Sequence, residues 1–83
     1  MLPSDYLDTA VANGWQWFRN NHNSDATLYS FLKPGWDAYT VLNAEWLSVE
    51  RRWRWTLNVF TRLGNSIDSR HIKPADVEKT LAG

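Results

Sequence analysis

Residues 22–25, with the sequence His-Asn-Ser-Asp, contain the base, the nucleophile and the acid of a nucleophilic triad in consecutive positions. A triad requires the base within hydrogen-bond reach of the nucleophile and an orienting acid behind the base, and adjacent loop residues rarely satisfy both requirements. A simpler explanation is that Ser24 caps a short helix and Asp25 lies at the positive end of its dipole. We therefore expect no catalytic residues and no enzyme activity.

Residues 68–71, with the sequence Asp-Ser-Arg-His, offer a second set of acid–base or metal-binding groups. The chain has two His, which are His22 and His71, and no Cys. Such a set cannot complete a zinc site without acidic ligands from elsewhere in the fold. The four Gly are scattered along the chain, so there is no glycine-rich phosphate-binding loop. The sequence therefore predicts neither a metal site nor a cofactor.

Binding chemistry is concentrated in residues 51–55, with the sequence Arg-Arg-Trp-Arg-Trp, in a chain that has six Trp among 83 residues. Arg and Trp are enriched where proteins contact other macromolecules. The functional interpretation depends on which indoles are in the core and which are on the surface. It therefore depends on the secondary structure that carries them.

The strongest periodic pattern in the chain predicts one long α-helix from Asp37 to Leu63. Apolar residues follow one another at alternating intervals of three and four, as in a heptad repeat. No Gly or Pro interrupts this segment, and Gly64-Asn65 supplies a stop signal. The seam that we assign to the core or to self-association consists of Tyr39, Leu42, Trp46, Val49, Trp53, Phe60 and Leu63.

The helical period divides the Arg/Trp cluster into two faces. Trp53 belongs to the seam, whereas Trp55 is rotated by about 200° at about 100° per residue. The predicted partner-binding face comprises Arg51, Arg54, Trp55, Asn58 and Arg62. The alternative is a second packing face with solvated Arg side chains. On the binding interpretation, Trp53→Ala destabilises the protein by about 3–5 kcal/mol, whereas Trp55→Ala weakens binding and leaves the melting temperature almost unchanged.

Three shorter segments complete the predicted fold, which is an all-α bundle of three to four helices in a single domain, residues 1–83. Residues 7–19 form either a helix, with Trp15 and Phe18 inward, or a hairpin around Asn13-Gly14. Residues 24–32 form a short helix. Pro74 opens a last helix with inward-facing apolar residues at positions 77 and 81. Trp36, which directly follows Pro34-Gly35, is expected to pack at the corner between two helices.

The charge distribution favours a protein partner. Residues 1–50 hold two basic and six acidic side chains, whereas residues 51–83 hold seven basic and three acidic ones. This balance suits a regulator, inhibitor or adaptor that binds another protein. The alternative is a nucleic-acid-binding protein that uses the basic stretch from Arg51 to Arg62, with Trp55 stacking on a base.

The length of the predicted helix leaves a homodimer open as well. A helix of about 40 Å would extend beyond a globule that is about 30 Å across. The sequence has no apolar run long enough to span a bilayer and no secretory signal, so we expect no membrane association. The absence of Cys is compatible with the reducing cytoplasm, which is the compartment we predict.

Overall fold

The computed structural model describes residues 2–23 and 26–83, which form a five-stranded antiparallel sheet flanked by two short helices. The elements are a 3₁₀ turn (Pro3–Tyr6), α1 (Leu7–Ala12), β1 (Gln16–Asn23), β2 (Ala26–Pro34), β3 (Ala38–Leu47), β4 (Arg52–Thr61), β5 (Ser66–Ile72), a second 3₁₀ turn (Pro74–Asp76) and α2 (Val77–Ala82). Each strand pairs with the next strand along the chain, so the sheet is a meander. The prediction of an all-α bundle is wrong.

The segment predicted as one long helix forms the hairpin of β3 and β4. Ala38 pairs with Thr61 and Leu47 with Arg52, and residues 48–51 form the turn. Arg51 has a φ of 54°, and its N–H donates to the Leu47 carbonyl at 2.7 Å. Both strands are rich in β-branched and aromatic residues, which pack well on a pleated surface and lose side-chain freedom in a helix. The turn lacks Gly, Pro, Asn and Asp, and so it carries little turn signal.

This change of secondary structure also changes the relation between the two indoles of the cluster. Successive side chains of a strand point to opposite faces, so residues two apart share a face. Trp53 pairs with Trp46 and Trp55 pairs with Ala44, all on the same face of the sheet. The predicted division into a core Trp53 and a surface Trp55 is therefore wrong.

The first part of the chain is neither the full helix nor the hairpin that the sequence left open. The helix α1 ends at Ala12, Gly14 adopts a φ of 86°, and β1 begins at Gln16. Asp5, through its carboxylate, accepts the Leu2 N–H at 2.7 Å near the start of the preceding 3₁₀ turn. A glycine in the left-handed conformation ends a helix without the steric cost of a Cβ atom.

The predicted short helix of residues 24–32 is also wrong, because this part of the chain contributes β2. Phe31 points into the core, whereas Leu28 and Leu32 lie on the other face. Ser24 and Asp25, the predicted helix cap and its acidic neighbour, lie outside the described residues.

The prediction for the last helix is confirmed. Pro74 begins the 3₁₀ turn that leads directly into α2, and Val77 and Leu81 are fully buried. Proline suits the first turn of a helix, where its missing N–H has no intrahelical acceptor. Residues four apart lie on one face of a helix, so both side chains reach the sheet together.

The core lies between the two helices and one face of the sheet, which we call the helix-covered face. Its buried side chains are Tyr6, Ala10, Trp15, Tyr29, Phe31, Leu42, Ala44, Trp55, Leu57, Val77 and Leu81. Trp55 lies edge-on to Tyr6, with 5.6 Å between ring centroids, and stacks on Phe31 at 6.1 Å. The Trp15 indole N–H donates to the Leu81 carbonyl at 2.9 Å, which joins α2 to the start of β1.

Candidate binding surface

The opposite face of the sheet, which we call the open face, is covered by neither helix. The strand register places seven large apolar side chains on it, namely Phe18, Leu28, Leu32, Tyr39, Val41, Leu47 and Phe60. None of the side chains described on this face is buried, and Phe18, which was predicted to point inward, is 53% exposed. The solvent-facing side of an antiparallel sheet is ordinarily polar. Apolar side chains on it therefore indicate a contact surface.

The apolar side chains of the open face concentrate toward the end where β2 joins β3. Leu32 pairs with Val41, and Pro34 with Tyr39. Tyr39 in turn pairs with Phe60, and their rings stack with 5.3 Å between centroids and 23° between planes. Both residues were predicted in the heptad seam, but they lie side by side on the half-buried open face.

Two turns extend this apolar surface beyond the strands. The turn from β2 to β3 and the turn from β4 to β5 meet where the Arg62 N–H donates to the Asp37 carbonyl at 3.2 Å. Trp36 is 86% exposed and Leu63 is 90% exposed, so the prediction that Trp36 packs at a corner is wrong. We define the apolar end as Leu32, Pro34, Trp36, Tyr39, Phe60 and Leu63.

A cleft of about 320 Å³ opens at the apolar end. Its lining residues come from β2, β3 and the two turns, and are Leu32, Pro34, Gly35, Ala38, Tyr39 and Arg62. Gly35 is required here, because a Cβ atom at this position would lie 2.4 Å from the Ala38 carbonyl oxygen. Arg62 is the one charged group among apolar neighbours in this lining.

In the other half of the open face, polar side chains that pair with one another lie beside Leu28 and Leu47. The Arg54 guanidinium donates to the Glu45 carboxylate at 2.7 Å. The Ser30 hydroxyl donates to the Asn43 side-chain oxygen at 2.7 Å. On β4, the Thr56 hydroxyl lies 3.4 Å from a ring nitrogen of His71. Because these groups already have partners, a ligand gains less by binding them than by covering the apolar end.

The structure separates the five residues predicted to bind a partner. Arg54 and Asn58 lie on the open face of β4, whereas Arg51 and Arg62 lie in the turns before and after that strand. Trp55 is 3% exposed, and so its ring is accessible neither to a partner protein nor to a nucleic-acid base. Arg62 alone lies at the apolar end. A binding role for the four exposed residues stays a prediction.

The remaining members of the predicted heptad seam are scattered in the same way. Leu42 is fully buried, and Trp46 and Trp53 contact each other on the helix-covered face at 5.4 Å between centroids. Val49 is 96% exposed in the turn between β3 and β4, and Leu63 is exposed in the next turn. The seam therefore does not form a continuous surface for self-association.

The structure gives the candidate catalytic and metal-binding segments no common site. In residues 68–71 consecutive side chains alternate between the two faces, so Arg70 and His71 point to opposite sides of β5. Within residues 2–23 and 26–83, no three His, Asp or Glu side chains come together in a way that could hold a metal ion. Of the His-Asn-Ser-Asp segment, Ser24 and Asp25 lie outside the described residues.

No protein-family model, curated protein or solved structure matches this chain. No helix in the described ranges is both long enough and apolar enough to cross a bilayer.

Proposed function

We propose that this protein acts by binding another protein through the apolar end of its sheet, as a regulator, inhibitor or adaptor without enzymatic activity. The single observation that carries the proposal is the uncovered group of Trp, Tyr, Phe and Leu side chains around a cleft of about 320 Å³. Trp, Tyr and Arg are the residues that dominate the energetics of protein interfaces. We also propose the cytoplasm as its compartment, on the absence of Cys.

The charges at this surface indicate the chemistry of the partner. The guanidinium of Arg62 lines the cleft and makes no ion pair within the described residues. A partner that inserts an apolar side chain into the cleft and brings a carboxylate to Arg62 would match both features. Removal of water from such a pair strengthens its electrostatic attraction.

Protein is favoured over nucleic acid by the pairing of the arginines in the original cluster. Arg52 donates to Glu50 at 2.9 Å, and Arg54 donates to Glu45 at 2.7 Å. Each carboxylate reduces the positive potential that would attract a phosphate backbone. Trp55, the residue expected to stack on a base, is enclosed in the core.

The test is affinity capture from the native host with the intact chain, followed by binding measurements on each captured protein after purification. The informative variant is Trp36→Ala/Leu63→Ala, because both side chains are almost fully exposed and their removal leaves the core intact. Loss of a tryptophan hot spot costs about 2 kcal/mol or more, so we expect Kd to rise at least roughly 30-fold.

The matched control is Val11→Ala/Val49→Ala, which also removes two exposed apolar side chains, but far from the apolar end. This control should bind like the wild type. The proposal fails if the Trp36/Leu63 variant binds every captured protein as tightly as the wild type does. It also fails if these two substitutions instead dissociate a homodimer in light scattering, or abolish binding of a single-stranded oligonucleotide at low salt.

A further inference from the structure

A second cleft lies on the helix-covered face of the sheet, beside α2 and on the opposite face from the cleft at the apolar end. Its volume is about 640 Å³, which falls within the range of about 300–1,000 Å³ typical of small-molecule sites. The sheet contributes apolar side chains to its lining, among them Leu57 and Ile72, and Trp15 lies beside them. The helix and the turn before it contribute Asp76, Lys79 and Thr80.

Four of the chain's nine cationic side chains line this one cleft, and they are Lys33, Arg70, Lys73 and Lys79. Among the described residues, Asp76 is the one acidic side chain in the lining, so the four cations exceed the acidic side chains there by three. A neutral protein that places its cations in this way creates a strongly positive cleft.

These cations have no anionic partners within the described residues. The two ion pairs there join Arg52 to Glu50 and Arg54 to Glu45, outside the cleft. Asp68 shares the face of Arg70 on β5 but neither pairs with it nor lines the cleft. The Lys33 ammonium lies over the Trp15 ring, 5.6 Å from its centroid.

The fold itself directs the cations to this position. Arg70 pairs with Leu57 in the register of β4 and β5, so its side chain belongs to the helix-covered face. Lys33 pairs with Thr40 on the same face. Val77 and Leu81 fix α2 onto the core, and Lys79, between them, is left at the exposed side of the helix.

We infer that this cleft binds a small organic molecule that carries a phosphate monoester. A phosphate monoester carries a charge of about −1.5 to −2 at neutral pH, so the excess of positive charge in the lining attracts it more strongly than a carboxylate, which carries only one charge. Arg and Lys donate charge-assisted hydrogen bonds to phosphate oxygens. The apolar side chains beside the cations provide a contact for the organic part. This site is on the other side of the sheet from the proposed protein-binding surface.

The test is a titration of the intact protein with phenyl phosphate, followed by amide chemical shifts in ¹⁵N NMR spectra, at constant low ionic strength. We expect saturable binding, with the largest shifts at Arg70, Ile72 and Lys79. Inorganic phosphate should bind more weakly because it lacks the organic part, and acetate should bind more weakly still. Arg70→Gln/Lys79→Gln should raise Kd for phenyl phosphate by about tenfold or more, since hydrogen bonds to charged groups are lost.

The matched control is Arg51→Gln/Arg52→Gln, which makes the same change in net charge outside the cleft, and it should leave Kd almost unchanged. All four side chains are exposed, so the variants should retain the wild-type fold, which the same NMR spectra report. The inference is overturned if phenyl phosphate does not saturate, if both double variants weaken binding equally, or if inorganic phosphate binds as tightly. A single-stranded oligonucleotide that binds the cleft more tightly than phenyl phosphate would also overturn it.

Discussion

Replacement of Trp55 by Ala should destabilise the protein more than the same replacement of Trp53, its neighbour on β4. Trp55 is 3% exposed and contacts Tyr6 and Phe31 through its ring. Truncation of a buried Trp to Ala typically costs about 3–5 kcal/mol. At about 0.05–0.15 kcal/mol per residue, a domain of this size has a total stability of roughly 4–12 kcal/mol. Trp55→Ala should therefore remove a large part of the stability, and lower Tm by about 12–40 °C.

The neighbouring tryptophan on the same strand should be less sensitive. Trp53 is only partly buried and contacts Tyr29 and Trp46 at the margin of the core. Its indole N–H has no hydrogen-bond partner among the described residues, so truncation also removes an unpaired polar group that was costly to bury. We expect Trp53→Ala to cost about 1–3 kcal/mol. In the predicted helix, by contrast, Trp53→Ala would cost more stability than Trp55→Ala.

The assay is urea denaturation of the single variants, monitored by circular dichroism. Trp36→Ala is the control, and because the side chain is 86% exposed we expect a change within about 0.5 kcal/mol. If Trp55→Ala does not fold, Trp55→Phe keeps an aromatic ring in the core and should still cost about 1–2 kcal/mol. A larger cost for Trp53→Ala than for Trp55→Ala would refute the strand assignment of this cluster.

Two backbone substitutions test the turns. Gly35→Ala should cost about 1–3 kcal/mol in urea denaturation, as overpacking typically does, because its Cβ atom would lie 2.4 Å from a backbone oxygen; a cost near zero would contradict the conformation of this turn. Arg51→Gly should stabilise the protein by about 0.5–1 kcal/mol, because a φ of 54° strains any residue with a Cβ atom. Arg51→Ala keeps the Cβ atom and should give no such gain; an equal gain would mean that loss of the Arg side chain causes it.

The heptad pattern wrongly predicted a helix, because the spacing of a helix and the two-residue alternation of a strand overlap in the same segment. Leu42 and Trp53 fit the spacing of a helix, but they fit a strand equally well. Ala44 follows Leu42, and Trp55 and Leu57 follow Trp53, at intervals of two on the helix-covered face, and this alternation is the signal of a half-buried strand. The excess of Trp, Tyr, Phe, Val and Thr between residues 39 and 61 also favours strands. No Gly, Pro, Asn or Asp marks the turn at residues 48–51, so nothing in the pattern showed that one strand ends there and another begins.

Start and stop signals of single elements were predicted more successfully than the secondary structure of residues 37–63. Pro74 correctly marked the start of the last helix. Gly64 was predicted as a stop and has a positive φ, whereas Gly14, which also has a positive φ, was left open between a helix and a hairpin turn. These signals depend on one residue and its immediate neighbours, whereas the choice between strand and helix depends on contacts across the whole sheet.

The candidate surfaces could be predicted only in part. Arg62 was predicted to bind a partner and lines the cleft of the proposed surface, whereas Trp36 was assigned to packing because sequence alone does not show whether a turn residue meets a neighbour. The cationic cleft combines Lys33 with Arg70 and Lys79, which are far apart in the chain and meet only through strand register. No local motif carries that information.

The hydrogen bond between Trp15 and Leu81 spans 66 residues and has a consequence for folding. Each strand pairs with its sequence neighbour, so hairpins can form early from local contacts, at about 1–10 μs each. Docking of the two helices requires distant segments to meet, and loop closure over such distances is slower. Until then, both faces of the nascent sheet expose apolar side chains. During that interval the helix-covered face, which carries the future core, is the more prone of the two to aggregate with other chains. The time that α2 needs to dock therefore determines how long this face stays exposed.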